Sequence, residues 1–453
     1  MPLRYLAVIV LLALASPFIG FCSWDRVEAW RLSGRFRAIE RAGEPLRIVT
    51  AASETPETPD QKLASRYYGE AARLSLDAYG PRFIEAGTIV TALSALPRAE
   101  AARDARVETL RATQARYDRA LDLLDLATRL DARGFAPADR PRSVMDERFV
   151  ANPNAIRIAR LSFAGDGAGA GRALLGTLRL RRMYSIYWRR SILPTAHALT
   201  LVLNAGPVPP WDLEALQREY AAIEADLDVA QQLVNDRARF MSVVIPADVS
   251  GTAAATTTAR RPEPFEALAY RVLRPMRRHS IVSALDDYDE ALASARQPWP
   301  AKLDATDALV RRQGGTAPGR RRSFLQQVSA PWGRSVGTRL LAAIVAGSAE
   351  GLARARAAAS ALAVARYQRD HPRELPPNLE ALVPKYLPAV PQDPFSGAAL
   401  RYVRNGAAYK VYSVGANRND DGGRWYSASD LLPRRGNPED IGVAAGEWPG
   451  SAK

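Results

Sequence analysis

Residues 400–423, LRYVRNGAAYKVYSVGANRNDDGG, carry the pattern that decides the fold of the C-terminal part of this chain. Residues 400–404 and 409–414 are rich in aromatic and β-branched side chains, which favour strands. Between them lies Asn405-Gly406, a pair typical of a two-residue hairpin turn. The stretch therefore predicts an antiparallel hairpin, followed directly by a loop rich in Asp, Asn and Gly.

A long amphipathic helix is predicted before the hairpin. Apolar residues recur at steps of three, four and seven, as one buried helix face requires. They are Leu341, Ile344, Val345, Leu352, Ala355, Ala359 and Leu362. The helix is expected to run to about Asp370, because Pro372 lacks the N–H that a continuing helix needs. Asn378 is a candidate cap for a short helix at 379–383. Residues 336–453 are therefore predicted to form a small α+β module, a long helix plus an antiparallel sheet.

The order of these motifs resembles the C-terminal half of the major pseudopilin of type II secretion systems. The matching pieces are Ala365-Arg366-Tyr367, residues 379–383, VPQDPFSG at 390–397, residues 400–402, residues 412–416, NRNDDGG at 417–423, and Asp440-Ile441. The resemblance implies a pseudopilin-like fold for this module and a secretion-related role. The whole chain is also similar to bacterial membrane-anchored proteins that carry the same C-terminal segment and have no established activity.

The chain departs from a pseudopilin at its N-terminus. In the family, the hydrophobic N-terminal helix is continuous with this module and follows a prepilin peptidase site. Here residues 25–335 intervene, and MPLRYLAVIV at 1–10 lacks that site. We therefore expect a shared folding unit rather than the family's filament assembly.

The loop after the hairpin is a candidate calcium site. In the pseudopilins it resembles, this loop binds calcium, which implies ligands here at Asn417, Asn419, Asp420, Asp421 and Asp440. Calcium takes about six to eight oxygen ligands, and these side chains supply such oxygens. The alternative is a turn of Asp, Asn and Gly residues that closes the hairpin without a metal.

The N-terminus carries the membrane signal. Residues 5–24, YLAVIVLLALASPFIGFCSW, contain no charged residue, and a helix of this length extends about 30 Å, enough to cross a bilayer. We predict that residues 1–24 are an uncleaved anchor, with a signal peptide cleaved near Ala13-Leu14-Ala15 as the alternative. Arginines after the run favour a cytoplasmic body, whereas the short basic start is typical of export. We expect a single-pass bacterial inner-membrane protein with a periplasmic or other extracytoplasmic body.

Residues 25–335 are rich in Ala, Leu and Arg and predict a multi-helix body. Thr58-Pro59-Asp60-Gln61 has the features of a capping box with proline in the first turn. Further helices are predicted at 98–132 and 211–240. The run RLRRMYSIYWRR at 179–190 interleaves arginines with aromatic residues, as nucleic-acid or anionic-lipid surfaces do. The alternative is a helix with core-facing aromatic rings and solvated arginines.

Composition and charge limit the function classes. The chain has 453 residues, of which 47% are hydrophobic, and this argues against wholesale disorder and a polytopic membrane protein. The net charge is +14, from 62 basic and 48 acidic residues. Most of this excess lies in the helical body, because residues 372–453 contain ten basic and nine acidic residues, and that distribution weakens the nucleic-acid interpretation. Cys22 is the only cysteine, so an internal disulfide and a thiolate metal site are excluded.

The sequence contains no motif that specifies catalytic chemistry. It predicts a mostly α fold: an N-terminal transmembrane helix, a multi-helix body at 25–335 and the α+β module. The expected function is that of a non-enzymatic cell-envelope protein, acting as a structural or protein-interaction module. One alternative is binding of anionic lipid or nucleic acid through the Arg-rich body. Another is an envelope hydrolase or transferase with an acidic groove, for which Asp286, Asp287 and Asp289 are candidates.

Overall fold

The computed structural model describes residues 3–46, 58–130 except 80, 95 and 97, 144–183, 195–250, 273–314, 334–424 and 440–446. The chain divides into two compact units. The first unit comprises Met1–Thr50 and Val229–Val345, and the second comprises Ala51–Asp228 and Ala346–Lys453. The three-part division into anchor, body and module stays a prediction.

Helices make up most of the described chain, as the Ala- and Leu-rich composition predicts. In chain order they are α1 (Leu3–Arg41), α2 (Pro59–Ala78), α3 (Pro81–Ser94), α4 (Arg98–Ala101), α5 (Arg106–Ala115), α6 (Asp118–Ala127), α7 (Val144–Phe163), α8 (Gly167–Met183), α9 (Thr195–Ala205), α10 (Pro210–Asp226), α11 (Val229–Ser250), α12 (Arg274–Ala295), α13 (Ala301–Gly314) and α14 (Arg334–Asp370). The capping box is confirmed at the start of α2, where the Gln61 N–H donates to Thr58 Oγ1 at 3.2 Å and the Thr58 N–H donates to Gln61 Oε1 at 2.9 Å.

Two predicted helices are broken. The helix expected at 98–132 is interrupted beside Asp104. The Asp104 carboxylate accepts the Arg106 N–H at 2.9 Å and so competes with the backbone hydrogen bonds of a helix. The helix expected at 211–240 is interrupted at Leu227, whose φ of -89° and ψ of 53° are not helical. Helices therefore occupy both predicted ranges, and each range contains more than one helix.

The structure does not show the transmembrane helix predicted for residues 5–24. These residues belong to α1, but among the residues described by the structure no helix has both the length and the apolar character to cross a bilayer. The side chains of residues 1–19 lie outside the described part of the structure. The anchor stays a prediction.

In the first unit, α12 packs against α1, α11 and α13. A set of apolar side chains from three of these helices forms the core: Leu32, Ile39, Met241, Ile281, Val282 and Leu285. On α1, Asp25 and Glu28 are also buried, and their spacing places them on the same helix face as Leu32. The interior of this unit is therefore partly ionic.

The predicted hairpin and antiparallel sheet are confirmed in the second unit. Strands β1 (Arg401–Asn405), β2 (Ala408–Ser413) and β3 (Ile441–Ala445) form a sheet with the order β1-β2-β3, and both pairs are antiparallel. The turn contains Gly406, whose φ of 58° suits glycine. The long helix α14 ends at Asp370, as predicted. The short helix expected at 379–383 is a single 3-10 turn, and Asn378 Oδ1 accepts the Ala381 N–H at 3.0 Å.

The sheet and α14 share one hydrophobic core with helices α8, α9 and α10. Leu216 of α10, Leu362 of α14 and Val411 of β2 belong to this core, and all three are fully buried. Polar contacts accompany the packing: Asn204 Nδ2 donates to the Ala444 carbonyl of β3 at 3.1 Å. Gln217 Nε2 donates to the Tyr386 carbonyl at 2.8 Å. Within the second unit, residues of the predicted module and of the predicted body thus form one interior.

Candidate functional site

The loop between β2 and β3 brings the predicted calcium ligands together at the end of the hairpin. Asp440 is buried directly before β3, and its Oδ2 accepts the Gly423 N–H at 2.8 Å. Its Oδ1 accepts the Asp421 N–H at 3.4 Å. The buried Asp440 carboxylate therefore binds the loop through the backbone amides of Asp421 and Gly423. Residues 425–439, which connect Arg424 to Asp440, lie outside the described residues.

The other predicted ligands also bond within the loop. Asn417 Oδ1 accepts the Asn419 N–H at 2.9 Å, and Asn417 Nδ2 donates to Asp421 Oδ2 at 2.9 Å. Asp420 Oδ1 accepts the Gly422 N–H at 3.0 Å and the Tyr412 hydroxyl at 2.9 Å. Short bonds from Asn and Asp side chains to amides two residues on are those of Asx turns.

Lys410 lies beneath this loop. It belongs to β2, its side chain is buried, and its Nζ donates to the Gly423 carbonyl at 3.0 Å. Gly423 has a φ of 69°, and a Cβ at this position would lie 2.8 Å from Lys410 Cδ. A glycine is therefore required both by the backbone conformation and by the lysine side chain beneath it.

Burial shifts the pKa of both Asp440 and Lys410. Burial raises the pKa of Asp440 to about 6, against the opposing effect of the two amide bonds, and the nearby Asp421 and Asp420 carboxylates raise it further. Burial lowers the pKa of Lys410, and the Asp440 carboxylate partly offsets this effect. The Lys410 ammonium is thus stabilised by an opposite charge in the same interior.

This arrangement does not fit calcium. A calcium ion needs its oxygen ligands to converge on one centre, whereas the oxygens of Asp440, Asp420 and Asn417 face N–H and O–H donors. Within the described ranges, no group of three or more Asp, Glu, His or Cys side chains is arranged to hold a metal ion. The geometry corresponds to the alternative interpretation of this motif, a turn that closes the hairpin.

Asp393 organises the VPQDPFSG segment, and sequence reasoning did not assign it a role. Its Oδ1 accepts from the Ser413 hydroxyl at 2.8 Å and from the Phe395 N–H at 2.9 Å. Its Oδ2 accepts the Val414 N–H at 2.9 Å. One buried carboxylate therefore ties this turn to the end of β2. An aspartate between two prolines, Pro391 and Pro394, before a buried strand was the only sequence signal for this contact.

Two of the three acidic residues considered for catalysis, Asp286 and Asp289, make ion pairs. Arg35 of α1 pairs with Asp286 and with Asp289, the latter at 2.9 Å. In the second unit, a cleft of about 310 Å³ is lined by equal numbers of aspartates and arginines: Asp118, Asp122, Asp166, Arg157, Arg160 and Arg172. Arg157 also pairs with Asp125 at 2.8 Å. The aspartates in both places lie near arginines that balance their charge. The ion pairs of Arg35 and of Arg157 each join two helices, as structural ion pairs do.

The glycine-rich run at 165–169 joins α7 to the start of α8, where Asp166 Oδ1 accepts the Gly169 N–H at 2.7 Å. The basic and aromatic run at 179–190 lies outside the described residues after Met183.

Comparisons with known proteins add no relative. No protein-family model matches the chain, no curated protein is significantly similar to it, and no solved structure matches its fold. The resemblance to pseudopilins therefore rests on the residues quoted above and stays a prediction.

Proposed function

We propose that this chain is a membrane-anchored cell-envelope protein that acts as a scaffold for protein contacts, with partners in the envelope or in a secretion system. The observation that carries the proposal is the interior shared by α8, α9, α10, α14 and the sheet. Separating the α+β part from these helices would expose apolar side chains such as Leu216, Leu362 and Val411 to water. A module fixed in this way suits a rigid surface on a scaffold better than a subunit that polymerises by itself.

Contacts of α1 support the anchoring role. Asp25 accepts Arg274 Nη2 at 2.6 Å and Arg278 Nη1 at 3.1 Å, and both arginines belong to α12. The uncharged run at 5–24 immediately precedes Asp25 in the same helix. These ion pairs would tie an N-terminal anchor to the first unit and so transmit its position to the folded part of the chain.

Photo-crosslinking in intact membranes tests the scaffold role. A photoreactive residue would replace Val403, which is 41% exposed on β1, and Val411, which is fully buried on β2, serves as the matched control. We expect a discrete adduct with another envelope protein from position 403 and none from position 411. The absence of adducts from Val403 and from a second exposed position, Val383, would contradict the proposal.

The anchor is tested separately. Full-length protein should remain in the membrane pellet after alkaline extraction, and removal of residues 1–24 should release it. Protease added to intact spheroplasts should degrade the folded part, because we propose that it lies outside the cytoplasm. Extraction of the full-length chain would contradict the anchor, and protection from protease would contradict the orientation.

A second candidate function, contact with anionic lipid, is favoured by the outer face of α1. Trp30 is 72% exposed and Val27 is 46% exposed, and Arg26, Arg31 and Arg37 are exposed on the same helix. Exposed tryptophan beside arginines is typical of the membrane interface. This face begins within two turns of the predicted anchor, where headgroups would lie.

Fluorescence quenching tests the lipid contact. The full chain would be reconstituted in vesicles that carry quencher-labelled lipid, with and without phosphatidylglycerol. We expect Trp30→Phe to remove a quenched component and Trp211→Phe to remove none, because Trp211 is 68% exposed but lies in the second unit. Equal quenching losses from the two variants would contradict a specific contact at α1.

A further inference from the structure

A positive charge on β2 binds the loop after the hairpin. Lys410 Nζ donates to the Gly423 carbonyl at 3.0 Å, and Asp440 Oδ2 accepts the N–H of the same residue at 2.8 Å. The C=O and the N–H of Gly423 are thus bonded to a buried lysine and to a buried aspartate. The lysine acts from the central strand, and the aspartate acts from the start of β3.

The lysine is built into the fold. In the register of the sheet, Lys410 lies between Val403 of β1 and Ala444 of β3. Its stem passes under Gly423 so closely that no side chain fits there. Burial of a lysine costs free energy unless its ammonium is hydrogen-bonded and near an opposite charge. The Gly423 carbonyl and the buried Asp440 carboxylate meet these two requirements.

A divalent cation is disfavoured at the same place. It would compete with two backbone amides for the oxygens of Asp440. It would also lie near the Lys410 ammonium, and two positive charges in a buried site repel each other strongly. Lys410 and Asp440 already hold the loop through Gly423, and a divalent cation there would add a second positive charge close to the first.

We propose that Lys410 is a built-in cation that closes the loop at 417–423 onto β2 and Asp440, so that this part of the chain keeps its structure without calcium. The proposal requires neither a membrane nor a partner and so does not depend on the proposed function. It replaces the calcium prediction for Asn417, Asn419, Asp420, Asp421 and Asp440.

Unfolding of the purified full-length chain, with calcium or with a calcium chelator, is the first test. We expect the same Tm in both conditions and unchanged hydrogen exchange at residues 415–424. A Tm that rises with calcium, or a loop that exchanges faster in chelator, would overturn the proposal. This comparison uses the wild-type protein and does not depend on any variant folding.

The second test removes the charge. Lys410→Met keeps most of the buried stem, and we expect the amides of Asp421 and Gly423 to exchange at least about tenfold faster, as loss of a charged hydrogen bond implies. Lys385→Met is the control, because Lys385 is exposed and also makes one ion pair. Equal exchange in the two variants would contradict the assigned role.

Discussion

Helix α1 of the first unit and helix α14 of the second bury opposite kinds of side chain. On α1, the buried face includes Asp25 and Glu28, which bond to Arg274, Arg278 and His279 of α12. On α14, the buried residues that belong to the second unit are nearly all small or apolar: Ala349, Leu352, Ala353, Ala355, Ala357, Ala358, Ala361, Leu362, Ala363 and Val364. The first interface combines apolar packing with buried charge pairs, and the second depends almost entirely on close packing.

This difference separates two ways of joining distant segments. Alanine side chains let neighbouring helices approach closely, and they contain no polar group whose burial would cost free energy. Buried ion pairs contribute little net free energy, because desolvation offsets attraction, yet loss of one partner leaves a costly unpaired charge. The stability of the first unit should therefore be sensitive to the loss of a single charged side chain. The stability of the second unit should be sensitive to a smaller side chain in its core.

The largest effect is expected from a cavity in the second unit. Leu216→Ala removes a fully buried side chain of α10 and should lower the free energy of unfolding by about 4 kcal/mol. Because Leu216 shares a core with the sheet, hydrogen exchange should also accelerate in β2. Leu76→Ala on α2 is the control, since Leu76 is 49% exposed. Unchanged exchange in β2 would show that the sheet is independent of α10.

The next effect tests the ionic unit. Arg237 is 2% exposed and pairs with Glu44, and Asp289 lies 3.6 Å from it. Glu44→Leu should cost about 3 kcal/mol, because it leaves Arg237 buried without its main partner. Adding Arg237→Met should recover most of this loss, as measured by chemical denaturation. A double variant as unstable as the single one would contradict the charge argument.

An exposed ion pair is the matched control for the Glu44 and Arg237 variants. Arg73 pairs with Glu70 and Asp77 on the surface of α2, and its side chain is 57% exposed. Arg73→Ala should change the free energy of unfolding far less than Glu44→Leu does, because water screens exposed pairs. A larger loss there would remove the distinction between buried and exposed charges.

The elements that were predictable from the sequence depend on local patterns. The hairpin at Asn405-Gly406 and the end of α14 before Pro372 are each decided within a few residues. The contact between Asp25 and Arg274 joins residues that are distant in the chain, and nothing near either residue indicates it. Local periodicity carries no information about which charged faces will meet.

At the loop after the hairpin, too, the sequence indicated the local structure and not the contact with a more distant residue. The pattern at 417–423 indicated a loop of Asp, Asn and Gly residues; in the structure Asn417 Nδ2 donates to Asp421 Oδ2, and the Asp421 N–H donates to Asp440. It did not indicate Lys410, because a lysine in an alternating strand is usually on the solvent face. In the structure every residue of β2 is buried, so the strand has no solvent face. That outcome depends on the loop folding back over β2, which is a tertiary event.

A smaller effect is expected from a single carboxylate in the packed unit. In the wild type, Ser413, Phe395 and Val414 donate to the Asp393 carboxylate. Asp393→Asn keeps the shape of the side chain but turns an NH2 group toward at least one of these donors. The loss should be about 2 kcal/mol, since buried donors would be left unpaired. Ser396→Ala, in the same turn and exposed, should cost far less. Equal losses would mean that the turn tolerates a broken polar contact.

The smallest effect is the pH dependence of Asp370 at the end of α14. Bonds from Lys385, Tyr386 and Arg369 hold the pKa of this carboxyl well below its usual range. A carboxyl with a lowered folded-state pKa adds stability above its ordinary pKa of about 4, and this stability is lost as the pH falls further. The difference in Tm between wild type and Asp370→Asn should therefore shrink from pH 6 toward pH 3. Asp122→Asn, on an exposed part of α6, is the control. A constant difference would mean that this charge adds no pH-dependent stability to the packed unit, and the contrast with the ionic unit would then be sharper.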